Sequence, residues 1–337
     1  MRDQIEGKDS LLKAGNLSQE VDVPANPAGD QTSSSGTRPK EGTQESPEDH
    51  KNVKLNGRVC HVFRENAMRD VFGILKTSGT SGNDSKTPLR ELLESYKFVN
   101  PPMSTKNHFV TEIDLNEASG HKIVHLKKVA EWLIKCTEFA RLPFEDKRLM
   151  FLNCYAVIQN LERCDKSNEI LKNVTDYFLL YDETVVDVNN FGFVLSGTTT
   201  QQMEPFSDVY RKYFQNLWND VTVPMRTYKL EMFEVVYMCF YKLWYVKGIP
   251  ELSKETQKVA ERVLDSACAE INSYYRIQRN MSNYVMRISK LHELLSNADW
   301  CLERRREMLM ILDIMQLATF EIHDSGLGRA NRKITQM

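Results

Sequence analysis

The chain has no Cys-x-x-Cys pair. Its seven cysteines stand at 60, 136, 154, 164, 239, 268 and 301. The spacing of a zinc ribbon or zinc finger is therefore missing. Several lie inside apolar runs, as Cys239 does between Val235 and Tyr241. That suits small buried hydrophobes in a reducing compartment. No stretch approaches the roughly 18 apolar residues of a membrane span, and no apolar segment follows Met1. An intracellular protein with no membrane partner is predicted. Charge of one sign is lacking too: 44 Lys and Arg against 46 Asp and Glu leave a net charge of −2. Nothing in that balance draws the chain to nucleic acid or anionic lipid, so no direct nucleic-acid contact is expected.

Aromatic residues are absent before Phe63. Residues 14–58 are rich in Ser, Gly, Pro, Asn, Gln and charge, and cannot bury enough apolar area to offset their ordering entropy. Residues 1–60 are expected to be a disordered tail, and 61–87 a short helix, Glu65–Lys76, with a Ser/Gly/Thr linker, Thr77–Lys86. The linker has Gly79, Gly82 and Lys86-Thr87, but no glycine precedes the lysine and no strand leads in, so it is not a phosphate loop.

The apolar residues, 41% of the chain, concentrate after Pro88. Pro88 suits a first helical position, with Leu89, Leu92, Leu93 and Tyr96 on one face. Beyond Pro101-Pro102 a helix is predicted over about 117–140, where Ile123, Leu126, Ala130, Leu133 and Thr137 step by three and four. From Glu145 to Arg163 the apolar residues point all round, which marks a helix covered on both sides. The period then switches. Val185, Val186 and Val188, a turn at Asn189-Asn190, then Phe191, Phe193 and Val194 predict a small β-hairpin at 184–194. Helices follow over about 205–219, 226–247, from behind Ser253 (an N-cap), and 281–317. Residues 324–337 are expected to fray.

Residues 130–158, AEWLIKCTEFARLPFEDKRLMFLNCYAVI, resemble the signature of nuclear hormone receptor ligand-binding domains where helices 3, 4 and 5 meet. Trp132, Phe139, Leu142, Asp146-Lys147 and Met150-Phe151 match it without a gap. The Gln and both Leu of the pattern are replaced. Tyr274-Tyr275 and Met286–Leu291 resemble the end of the family's ninth helix and the start of its tenth. Phe206–Trp244 resembles the nematode-expanded branch related to hepatocyte nuclear factor 4. The likeness covers about 88–323. Arg2-Asp3-Gln4-Ile5 resembles the stretch after the zinc modules of such receptors, so a product starting downstream of a DNA-binding domain is expected.

The resemblance implies an all-α fold, a three-layer helical sandwich with one small β-hairpin. It implies a pocket for a small lipophilic ligand, with no cofactor, and a nuclear location, with the cytoplasm as a second compartment for this chain. It further implies a groove on helices 3–5 that takes Leu-x-x-Leu-Leu helices of coregulators. By the same matching the pocket positions are His121, His125, Tyr155, Gln159, Arg163 and Lys166. Lys166 replaces an arginine that meets carboxylate ligands in a retinoid-type relative. Arg163 and Lys166 also read as solvated residues near Glu162 and Asp165. The groove positions are Ile134, Lys135, Lys147, Met150 and Glu321. Ile134 stands where the family has a lysine, and Lys135 points about 100° away. Homo- or heterodimerisation with other receptors is implied through 281–317, where Glu303–Glu307 is either a solvated face or a determinant of partner choice.

Leu89–Leu93 and Leu291–Leu295 themselves spell Leu-x-x-Leu-Leu. They read either as docking peptides or as core seams of two helices. His292-Glu293 begins a metalloprotease-like pattern, but Ser296 stands where the second histidine belongs. His121 and His125, four apart, lack a third ligand for a metal. No nucleophile–base pair is evident, so no catalytic residue, metal site or enzyme is expected. Two readings compete: a ligand-regulated transcription factor domain, and a ligand-independent module that dimerises with full receptors.

Overall fold

The computed structural model describes residues 58–77, 86–100, 106–172 and 174–315. The tails expected at the two ends, apart from residues 58–60, and Glu321 lie outside them, as does most of the linker.

Helix α1 (Arg58–Lys76) starts before the expected Glu65 and is followed by α2 (Pro88–Val99). Thr87 caps α2, its hydroxyl accepting from Arg90 N at 3.3 Å, with Pro88 in the first turn where an N–H is not needed. Two short strands, β1 (His108–Val110) and β2 (Glu112–Asp114), lead into α3 (Leu115–Leu133). Asp114 caps α3 through Asn116 N and Glu117 N. The helix predicted to run to residue 140 breaks at Ile134–Cys136 and resumes as α4 (Thr137–Ala140). The cause is distant in sequence. The Glu91 carboxylate accepts from Thr137 N at 2.7 Å and Thr137 Oγ1 at 2.6 Å, so it begins a new helix there.

Next comes α5 (Phe144–Ile170), longer than expected, with Met150, Phe151, Cys154, Tyr155, Val157, Ile158 and Leu161 all buried. Its partner in the middle layer is α8 (Met232–Trp244), whose Val235–Phe240 run is buried. At about 1.5–3 kcal/mol for each fully buried large aliphatic or Phe side chain, these two helices carry much of the burial that holds the fold. α1, α2 and α3 lie on one side of this layer. On the other lie α6 (Thr200–Leu217) and α10 (Val285–Ile314), which pack on each other. A π-helical turn (Trp218–Thr222) and α7 (Val223–Thr227) follow α6. α9 (Lys254–Ser273) lies against α8 and ends in a second π turn, Tyr274–Gln278. As predicted, Ser253 caps α9, accepting from Thr256 N. The result is the layered helical sandwich.

The hairpin is corrected in register. It joins β3 (Tyr177–Tyr181) to β4 (Thr184–Asp187) and turns at Asp182-Glu183 rather than at Asn189-Asn190. Asp182 sits at φ 39°, a region Asp tolerates better than most residues. The second predicted arm, β5 (Gly192–Val194), pairs in parallel with β2, while β1 pairs in parallel with β4. Packing explains the exchange. Phe191 and Phe193 dock on Phe206, Tyr210 and Phe214 of α6, which carries β5 away from β4.

The signature residues are buried at the joints. Trp132 Nε1 donates to Leu92 O at 2.9 Å, tying α3 to α2. Phe139 meets Trp244 edge to face at 6.4 Å. Asp146 accepts from Ser253 Oγ at 2.5 Å and Thr256 Oγ1 at 2.6 Å, tying α5 to the start of α9. Leu142, Met150 and Phe151 complete the packing. Both Leu-x-x-Leu-Leu segments are core seams: Leu89, Leu92, Leu291, Leu294 and Leu295 are buried.

Candidate functional site

The pocket positions separate into groups. His125 on α3 and Tyr155 on α5 come together, and Glu162, about two turns further along the same face of α5, joins them. His125 Nε2 donates to Glu162 Oε2 at 2.5 Å, and its Nδ1 lies 3.2 Å from the Tyr155 hydroxyl, within hydrogen-bond distance. Burial opposes the charge of Glu162. The facing His125, with Arg163 and Lys166, overcomes that and holds its carboxyl below the usual range. Burial pushes the Tyr155 hydroxyl well above its usual pKa. The cavity beside this group, bordered by Tyr96, His125, Lys128, Val129, Trp132 and Glu162, holds about 10 Å³. That is room for one water at most.

His121 goes elsewhere. It stacks on Tyr181 with ring centroids 4.2 Å apart, and its Nδ1 lies 2.7 Å from Asp182 Oδ2 at the hairpin turn. Lys166 is buried with its ammonium 3.5 Å from Glu169. Gln159 is half-buried. Arg163 is half-buried too, and its Nε is enclosed with no hydrogen-bond partner among the described residues. One turn along α5, Asn160 accepts from Tyr213 OH at 2.6 Å, and the Arg305 guanidinium lies 4.6 Å from the Tyr213 ring. Among the described residues no group of three or more His, Cys, Asp or Glu could hold a metal ion. No helix there is long and apolar enough to cross a membrane.

The groove positions lie where α3, α4 and α5 meet. Ile134 is the half-buried residue that ends α3, and Lys135 is exposed. Met150 is fully buried beneath. Lys147, in the first turn of α5, donates to Ala140 O at 3.0 Å and to Thr77 O, just past α1, at 3.2 Å. Burial lowers its pKa.

The family model of the ligand-binding domain of nuclear hormone receptors matches residues 103–315. The chain belongs to that family. Nuclear hormone receptors are transcription regulators, and their ligand-binding domains generally bind coregulators and dimerise. Caenorhabditis elegans has similar proteins. Nuclear hormone receptor family member nhr-86 is 23% identical over 218 residues, 61% of this chain and 51% of that protein. Family member nhr-54 is 22% identical over 242 residues, 68% and 56% of the two chains. Family member nhr-213 is 21% identical over 202 residues, 59% and 48%. The chain thus spans about half the length of these relatives.

Within the receptor fold, sequence matching located His125 and Tyr155 but missed their partner Glu162. Glu162 lies 37 residues from His125 on another helix. Its seven-residue spacing from Tyr155 was the available clue, since that puts both near one helical face. Asn160, Tyr213 and Arg305 were missed as well, because their meeting depends on how α6 and α10 cross α5.

Proposed function

We propose that this chain acts in the nucleus as the ligand-binding, dimerisation and coregulator-binding part of a nuclear receptor-like transcription regulator. Family membership over residues 103–315 carries the reading. The coregulator surface is the junction of α3, α4 and α5, with Ile134, Lys135 and Lys147 at its edge and Met150 beneath. The dimer surface is α10, where Met286, Glu293, Trp300, Glu307 and Ile314 are all exposed and recur every seventh residue. Such a stripe suits a second helix running alongside.

A second reading is favoured by one observation. His125, Tyr155 and Glu162 satisfy one another around a cavity of about 10 Å³, so this part of the pocket is filled by the protein's own side chains. That suits a ligand-independent module acting through its partners.

Native mass spectrometry of the purified chain separates the two. A co-purifying lipophilic molecule, or a melting temperature that rises with a lipid panel, supports the ligand-regulated domain. An empty protein, inert to the panel but dimeric, supports the module.

A further inference from the structure

Helix α1 is seated on α3 and the start of α5. Its inward face is Ala67, Met68, Val71, Phe72 and Leu75; Ala67, Val71 and Leu75 are buried, and Met68 and Phe72 pack partly buried against the core. Met68, Val71, Phe72 and Leu75 follow the i, i+3, i+4, i+7 order of a helix that binds in a groove. Phe72 meets Phe144 edge to face at 6.1 Å. At one end Lys147 donates to Thr77 O, and midway Asp70 pairs with Lys127 at 2.6 Å. A lysine at the negative end of a bound helix is the electrostatic grip that a docked peptide helix needs.

We propose that α1 occupies the coregulator surface in cis, so that a coregulator helix has to displace it. This rests on the coregulator reading above. Three features favour displacement over permanent packing. α1 precedes the matched region, whereas Lys127, Phe144 and Lys147 lie within it. Residues 78–85, Ser-Gly-Thr-Ser-Gly-Asn-Asp-Ser, carry no apolar side chain that could bind α1 to the core through its connection to α2. Gly73 stands in the helix interior, exposed, and weakens it relative to alanine. A methyl group at that position would meet nothing within 4 Å.

The test is fluorescence anisotropy of a labelled 15-residue peptide with a central Leu-x-x-Leu-Leu, titrated with three full chains. Phe72→Asp should loosen α1 and bind the probe at least tenfold more tightly than the parent. Gly73→Ala should firm α1 and bind up to about fivefold more weakly, the population ratio of one helix-propensity step. An unlabelled peptide of residues 62–77 should displace the probe from Phe72→Asp. Equal affinity in all three chains, or failure of the 62–77 peptide to compete, overturns the masking proposal and leaves the coregulator surface standing. Probe binding to none of the three overturns the coregulator reading itself, and masking with it. Should Phe72→Asp not fold, as judged by near-UV circular dichroism, parent and Gly73→Ala still decide masking, because that change meets open space.

Discussion

The Lys147 ammonium donates to the backbone carbonyl of Thr77 across 3.2 Å, so the first turn of α5 holds the C-terminal end of α1. The same ammonium reaches Ala140 O at the end of α4. One side chain thus joins three helices where coregulator contact is proposed.

Lys147→Met keeps the apolar stem of the side chain, one atom shorter, but leaves both carbonyls without their donor. A loss of about 1.5–3 kcal/mol is expected, the range for hydrogen bonds to charged groups. The effect should be local. Amide exchange should quicken across residues 69–77 while the α5–α8 core keeps its protection. Uniform loss of protection would show that Lys147 serves global stability instead.

The His125–Glu162 pair gives a pH signature. The Glu162 pKa is lowered from 4.5 in the fold, so the stability it supplies is present above about pH 4.5 and is lost as pH falls through the lower folded-state value. Glu162→Gln should therefore cost about 1–3 kcal/mol at pH 7 and much less at pH 3. Urea unfolding at both pH values measures this. An equal cost at the two would mean that the charge of Glu162 contributes nothing.

Asp165 behaves in the opposite sense. Burial, with Glu169 adding repulsion, raises its pKa from 3.8 to about 6. The charged form is disfavoured by the fold, so its penalty is fully present above pH 6 and vanishes below about pH 4. Asp165→Asn should raise the melting temperature at pH 7.5 and change it little at pH 4. The gain is on the order of 1–2 kcal/mol once solvent screening of this half-buried group is allowed for. A gain of the same size at both pH values would contradict the assignment.

On α10, Trp300 is 50% exposed, with Met286 and Ile314 fourteen residues to either side on the same stripe. Trp300→Glu should shift sedimentation toward the monomer and leave the unfolding free energy of the monomer within about 0.5 kcal/mol of the parent, as surface changes do. Unaltered self-association would remove this face from the proposed dimer.

The outer helices were legible because each buries one face, which Leu126, Ala130 and Leu133 or Val259, Val263 and Ala267 mark by local spacing, and α5 because its apolar residues run all round. What stayed hidden depended on partners distant in sequence. The break after Leu133 follows from Glu91 reaching Thr137, 46 residues on. The pairing of β5 with β2 joins segments some 80 residues apart, and an apolar run such as Phe191–Val194 does not name its partner strand. Of the group that joins α3 to α5, His125 and Tyr155 came from matching, whereas Glu162 depends on how α3 crosses α5. The Met68, Val71, Phe72 and Leu75 spacing was there to be read, but it stands next to a segment of low-complexity composition.

A helix-binding surface at α3 and α5 is central to the proposed function. Hydrogen exchange of the full chain, with and without a saturating Leu-x-x-Leu-Leu peptide, addresses it most directly. The predicted result is unchanged or increased protection across residues 127–135 and 144–150, with loss of protection across 67–77 as α1 is displaced. Bound peptide that leaves 67–77 protected and shields a different face would contradict it.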